Sequence, residues 1–236
     1  MRLEPELNWD VCRRKWSRCN GESRTSGTFN INSRRLNKMS TGRLVVGVTG
    51  ASGAIYAQRF LQQATKHWEE IFLILSDQAI QVAATELSVA PRRDRFTTLD
   101  WLGAEYPQIR LLDSKNYFTP PASGSFRHDG MVVVPCSMGT AARIAHGISD
   151  DLLSRSADVC LKERRPLIVV PREMPMSAIM LRNLTTLAES GAQVIPACPA
   201  WYQQPETLED LADTVVARIL QCLGVEQDLM KQWMAE

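Results

Sequence analysis

Gly47-Val48-Thr49-Gly50-Ala51-Ser52-Gly53-Ala54 follows directly on Leu44-Val45-Val46, and this junction decides the fold. A short Leu/Val run without polar alternation predicts a strand buried on both faces, Leu44–Val48. The spacing that follows predicts a helix over Ser52–Thr65. The small residues between them let the backbone approach an anion. The helix start offers free N–H groups and the positive end of its dipole. Ser52 is placed to cap that helix and to donate to a phosphate. The spacing is G-x-x-G-x-x-G, not the G-x-G-x-x-G of dinucleotide sites, and the second strand ends in Ser76-Asp77, a weak ribose-binding acid. A mononucleotide is therefore favoured over NAD. Taken alone, the turn reads equally well as purely structural.

Outward from the turn, strands and helices alternate. Strands are expected at Ile71–Leu75, Met131–Val134, Leu167–Val170 and Gln193–Ile195. Helices are expected from about Gln78 to Glu86, from about Thr140, over Leu152–Lys162, Met176–Ser190 and Leu208–Leu223. Residues 92–113 predict a short helix and a strand. Apolar strands each followed by a helix indicate an α/β fold: a three-layer, Rossmann-like (flavodoxin-type) parallel sheet with helices on both faces. The fourth of these strands, Val132-Val133-Val134-Pro135, leads into Cys136-Ser137-Met138-Gly139-Thr140. Two small, hydroxyl-rich strand ends in one sheet point to a nucleotide cleft.

The densest charge lies at Lys162-Glu163-Arg164-Arg165, readable as a solvated corner. Arg172-Glu173 differs, because it follows a buried strand at the ligand-binding edge and lies between Pro171 and Pro175. That position suits a cation for an anionic substrate and a carboxylate for proton transfer. Trp201-Tyr202 reads either as a packed corner or as a wall over a planar ligand, with the tyrosine hydroxyl on a phosphate. Arg218, among Val215, Val216 and Ile219, reads as a snorkelling side chain or as a site residue.

The chain has 236 residues, 44% of them hydrophobic, and a formal net charge of +1. Residues 1–38 carry nine Lys/Arg against four Asp/Glu, so the remainder holds 18 basic and 22 acidic residues. An acidic body of this kind argues against nucleic-acid binding. No apolar run reaches the about 18 residues of a membrane span. Residues 1–42 show no periodicity and no signal-peptide pattern, and are expected to be a disordered extension ahead of a catalytic domain over 43–236, with Met39 as the natural start. Six cysteines without a C-x-x-C pair predict reduced thiols in a cytoplasmic protein and no metal site. His67 and His128 read as surface residues.

The ordered segments V-G-V-T-G-A-S-G-A-I-Y (46–56), P-P-A-S-G-S (120–125), V-V-P-C-S-M-G-T (133–140), A-D-V-C-L-K-E-R-R-P-L (157–167), V-P-R-E-M-P (170–175) and P-A-W-Y-Q-Q-P (199–205) closely resemble the flavin prenyltransferase (UbiX-type) family. The resemblance implies transfer of a dimethylallyl group from dimethylallyl monophosphate to N5 and then C6 of reduced FMN. It implies a homo-oligomer, typically a dodecamer, with FMN at subunit interfaces, no metal, and a product used by a UbiD-type decarboxylase in ubiquinone biosynthesis or aromatic-acid decarboxylation. Position by position, it implies FMN contacts at Gly50, Ala51, Ser52, Ser76, Ser137, Met138, Gly139, Thr140 and Arg172. It implies prenyl-phosphate contacts at Arg155, Lys162, Tyr202 and Arg218, and proton management by Glu173 and Ser52. Glu86 and Trp233 also match positions near the site. Arg155 and Lys162 would stabilise the leaving phosphate as its charge grows. The readings held beside this one are a flavin-dependent cysteine decarboxylase, which would need a catalytic histidine, and a non-catalytic flavin-carrying subunit.

Overall fold

The chain is described here from a computed structural model covering residues 42–87, 89 and 97–230. The expected N-terminal extension, the Met39 start and Trp233 lie outside the described residues. Six parallel strands form one sheet: β1 (Arg43–Val48), β2 (Glu70–Leu75), β3 (Ile109–Leu112), β4 (Met131–Cys136), β5 (Leu167–Pro171) and β6 (Gln193–Val194). Their order is β3-β2-β1-β4-β5-β6. This is the Rossmann order among doubly wound sheets. The helices are α1 (Ala54–Ala64), α2 (Asp77–Glu86), α3 (Thr98–Leu102), α4 (Met138–Ala145), α5 (Leu152–Lys162), α6 (Ala178–Glu189) and α7 (Leu208–Cys222), with 3-10 turns at Pro120–Ala122 and Trp201–Gln203. The expected elements are all present, with ends shifted by one to two residues for most.

Period-two alternation divides the core into two layers. Leu44, Val46 and Val48 of β1 pack with α1 and α7, through residues such as Phe60, Leu61, Val216 and Ile219. Val45 packs on the other side with Met131 and Val133 of β4, against α4, α5 and α6 through Ile144, Leu153 and Leu187. Burial on both sides is why the strands read as unbroken apolar runs. Helix α1 shows the complementary pattern: Ala57, Phe60, Leu61 and Ala64 are fully buried on one stripe. Burying each large side chain contributes about 1.5–3 kcal/mol.

Arg59 and Asp213 join α1 to α7. The guanidinium donates from Nε to Oδ1 at 2.9 Å and from Nη2 to Oδ2 at 2.5 Å. That fork holds the Arg59 pKa above its ordinary value, against the opposing effect of burial. In β4, Pro135 lacks an N–H, and the β4–β5 register shifts between Val133 and Cys136.

One expectation is corrected. His128 is 2% exposed rather than at the surface. Its Nδ1 lies 3.0 Å from the Gly130 carbonyl, which can only accept, and its ring stacks on Phe126. The polar neighbours Arg127 and Asp129 hid a side chain that packs against Phe126 and Cys160. Cys136 and Cys160 are buried thiols, and burial pushes each up to about 12, so both stay protonated. Cys198 is exposed.

Phe60→Ala should cost about 3–5 kcal/mol, because it empties the centre of the first layer. Urea unfolding is expected to show a lower midpoint with an unchanged slope; a loss below about 1 kcal/mol would contradict the packing described.

Candidate functional site

The chain leaves β1 toward β2 and returns to β4 on the other side of β1, so the strand order reverses between β1 and β4. Crossovers diverge at such a point and leave a crevice at the carboxyl ends of the strands. Thr49, 2% exposed, ties the two strand ends together. Its hydroxyl donates to the Pro135 carbonyl at 2.8 Å and accepts from the Ser137 N–H at 2.7 Å.

Beyond this tie lies a cavity of about 380 Å³, lined by Thr49, Gly50, Ser76, Gln78, Ser137, Gly139, Thr140 and Arg143. Two helices begin at its wall. Ser76 caps α2, accepting from the Ala79 N–H at 3.1 Å. Ser137 caps α4, accepting from the Thr140 N–H at 3.3 Å and donating to Thr140 Oγ1 at 3.1 Å. Both positive helix ends therefore face one cavity, as an anion requires. Gly50 is needed for the close approach of the β1–α1 turn to α2, since a Cβ there would lie 2.2 Å from Gln78 Cβ. Gly139 is exposed, and a Cβ there would meet nothing within 4 Å, so its backbone lies open to a ligand. The hydroxyls, backbone N–H groups and one guanidinium suit the phosphate end of FMN.

The turn after β1 differs from expectation in one respect. Ser52 does not cap α1. The cap position is Gly53, at φ 105, and it has no capping side chain of its own. The carboxylate of Glu86 supplies the cap from α2, accepting from the Gly53 and Ala54 N–H groups at 2.8 Å each. Those two donors, expected for a phosphate, are occupied. Burial pushes the Glu86 carboxyl up, but the Ser52 hydroxyl, both N–H groups and Arg172 outweigh it and hold it below its ordinary value. Ser52 is exposed, and its carbonyl accepts from Arg172 Nε at 3.0 Å. The Arg172 N–H also donates to the Cys136 carbonyl at 3.3 Å. Glu173, half-buried beside it, accepts from the Met174 N–H at 3.2 Å.

Thus the residues expected to hold FMN converge on one edge: Gly50, Ala51, Ser52, Ser76, Ser137 to Thr140, and Arg172. Ala51 and Met138 are buried, so they offer backbone only.

The four expected prenyl-phosphate residues do not meet within one chain. Arg155 lies on α5, donating from Nε to the Ala122 carbonyl at 3.1 Å and pairing with Asp158 at 2.8 Å. Lys162 ends α5, 2.8 Å from Glu163. The P-P-A-S-G-S loop packs against them closely enough that a Cβ on Gly124 would lie 2.2 Å from Glu163 Oε1 and 3.0 Å from Lys162 Nζ. Arg165 is a clamp on this loop rather than a free charge, its two Nη groups donating to the Phe126 and Gly124 carbonyls. Helix α5 belongs to the second core layer. Arg218 stands exposed on α7, in the first layer, donating to Gln221 at 2.6 Å. Tyr202 is 54% exposed on the 3-10 turn that Ala200 N–H and Thr214 Oγ1 join to α7. The sheet separates Arg155 and Lys162 from Arg218. Sequence reasoning passed over Thr49, Gln78 and Arg143 at the cavity; the hydroxyl of Thr49 within the glycine-rich turn was its one visible signal.

A depressed Glu86 pKa makes its capping contribution present above the unfolded carboxylate value and lost as pH falls through the folded one. Glu86→Gln should therefore cost about 1 kcal/mol at neutral pH. It should also flatten the fall in stability below about pH 4.3. Thermal unfolding against pH checks this, and parallel profiles for the two proteins would contradict it.

Comparison with known proteins agrees with this geometry. A model of the Flavoprotein family matches residues 32–220. The chain is 44% identical over 195 residues to the flavin prenyltransferase UbiX of Pseudomonas aeruginosa, covering 81% of this chain and 93% of that protein. It is 46% identical over 196 residues to the flavin prenyltransferase UbiX of Thermoplasma acidophilum, covering 81% and 99%. Among solved structures, AnUbiX (PadA1) in complex with FMN and dimethylallyl pyrophosphate superimposes with a TM-score of 0.71 at 37% identity, covering 82% of this chain and 98% of that one. A dodecameric FMN-dependent UbiX-like decarboxylase from Escherichia coli O157:H7 gives 0.72 at 38%, covering 82% and 100%. With the nucleotide cavity at the strand-order reversal and this similarity along the whole described domain, the chain belongs to the flavoprotein family and, within it, to the flavin prenyltransferases of the UbiX type.

Proposed function

We propose that the protein transfers a dimethylallyl group from dimethylallyl monophosphate to reduced FMN. The observation that carries the reading is the convergence of Ser76, Ser137, Gly139 and Arg143 on the cavity at the β1–β4 reversal, with Arg172 on the carbonyl of the adjoining Ser52 turn. There the two helix ends hold the flavin phosphate, and Arg172 and Glu173 stand beside the Ser52 turn. The allylic C–O bond breaks and the phosphate leaves with the electron pair. A C–N bond forms at flavin N5, whose proton passes to the departing phosphate; the alkene π bond then takes a proton at its inner carbon while its tertiary carbon bonds to C6, and C6 gives up its ring proton. Cations stabilise the leaving phosphate more as its charge grows. Glu173 or the released phosphate takes the proton.

The cations for that phosphate come from more than one copy of the chain. Arg155 and Lys162 lie on the face of the sheet opposite Arg218, so no single chain assembles the set. The dodecameric relative is consistent with a homo-oligomer that closes the site across its interfaces. None of the described histidines lines the cavity at the reversal: His67 is exposed, His128 is buried beside Gly130 and His146 faces Asn183 at 3.1 Å, which counts against a cysteine decarboxylase. We read the product as the cofactor of a UbiD-type decarboxylase, in ubiquinone biosynthesis or aromatic-acid decarboxylation, and the cytoplasm as the compartment, where Cys136 and Cys160 remain thiols.

Two outcomes follow, with prenylated flavin formed under anaerobic conditions as the readout. Glu173→Gln should slow formation by about 10²–10⁴-fold while leaving FMN affinity within a factor of about two; unchanged turnover would remove Glu173 from the reaction. Lys162→Met and Arg218→Met chains should each be impaired alone. Coexpressed, they should recover up to about a quarter of wild-type activity, since some sites then draw both intact residues from different copies. No recovery would mean that one chain supplies both.

A further inference from the structure

The flavin-phosphate cavity does not end at its own wall. A second cavity, of about 360 Å³, shares Ser76, Gln78 and Arg143 with it and continues toward Ser114 and Tyr117. Arg143 stands at the junction of the two. It projects from α4, one turn in from Thr140, and Nη2 donates to Thr140 Oγ1 at 3.1 Å. Its ion pairs are long: Nη1 to Asp150 at 3.4 Å and Nη2 to Asp151 at 3.6 Å. Charge-assisted pairs that saturate a guanidinium run at about 2.7–2.9 Å. Its Nε is buried and has no hydrogen-bond partner. A buried donor without an acceptor is costly, and an arginine fork is built to fill such donors with the oxygens of one phosphate.

The second cavity is unsuited to another phosphate. Asp77, Asp150 and Asp151 line it, against Lys115 and the shared Arg143. An anion passing Arg143 would meet more carboxylates than cations, at a cost that Lys115 alone does not offset. We propose that Arg143 receives the terminal phosphate of the flavin nucleotide and that the acidic cavity behind it rejects a second phosphate, so that this chain selects FMN over FAD. This rests on reading the first cavity as the flavin-phosphate site. Asp150 and Asp151 hold the guanidinium loosely in the junction, and the incoming phosphate takes the donors that they leave unfilled. Asp151 also caps α5 through a 2.7 Å bond from the Ser154 N–H, a role that asparagine fills equally well.

The test is a titration of the full-length, flavin-stripped protein with FMN, riboflavin and FAD, followed by flavin fluorescence. Riboflavin lacks the phosphate and reports the ring site alone. Arg143→Met should raise the Kd for FMN by at least about tenfold while the Kd for riboflavin stays within about twofold. Arg143→Lys, which keeps the charge and loses the fork, should fall between Met and wild type. Asp150→Asn with Asp151→Asn should raise the affinity for FAD relative to FMN by at least about fivefold. Equal FMN affinity in wild type and Arg143→Met would overturn the proposal. So would a parallel loss of riboflavin binding in both the Met and Lys variants, which marks a structural role. A wild-type protein that binds riboflavin and FMN equally would overturn it too. Failure of the wild type to bind any of the three flavins would instead remove the reading of the first cavity on which it rests.

Discussion

Two hydrogen bonds through one threonine hydroxyl hold the place where everything else meets. Thr49 joins the end of β1 to the end of β4, accepting from Ser137 and donating to Pro135. The sheet reverses its order between those strands, and the hydroxyl bonds extend the β1–β4 pairing, with the Thr49 N–H donating to the Pro135 carbonyl at 3.3 Å, to the point where the crossovers diverge. With the two ends tied, the starts of α2 and α4 face one cavity, and Ser76 and Ser137 cap the helices while lining it. Fold and binding capacity share a cause, because the crossovers that set the strand order also set where helix ends converge.

The sequence made the layered sheet legible because each strand is buried on both faces and each break is marked by glycine, serine or proline. Leu152–Lys162 is found at the expected bounds, since its capping Asp151 and its apolar stripe are both local signals. Ser76 and Ser137 were legible for the same reason, as hydroxyls placed just ahead of helices. The Glu86 cap was not. The donors at Gly53 and Ala54 lie more than thirty residues from their acceptor in sequence, and only the packing of α2 beside the β1–α1 turn joins them. Ser52, the local candidate for that cap, lies one residue ahead of the cap position, which Gly53 takes in a left-handed conformation, and its hydroxyl bonds Glu86 instead. Arg143 was hidden likewise: its meaning comes from Asp150 and Asp151, which the chain brings back only after α4 has ended.

The division of the cations is the second consequence of the layering. A single doubly wound sheet exposes α5 and α7 on opposite sides, so residues on these helices cannot share a ligand in one copy. The exposed aromatic and apolar side chains Phe118, Met174, Trp201 and Tyr202 lie on segments near the expected site residues. In the assembly we propose, copies of the chain together exclude water from around the reacting flavin. In the proposed reaction, a low-dielectric site strengthens the hold of Arg155, Lys162 and Arg218 on the departing phosphate.

The most direct test of the account is the mass of the flavin recovered after the purified protein is incubated, without oxygen, with reduced FMN and dimethylallyl monophosphate. The account predicts a flavin carrying one added dimethylallyl unit, bonded at N5 and C6. Recovery of unmodified FMN from protein that has bound both substrates would contradict it.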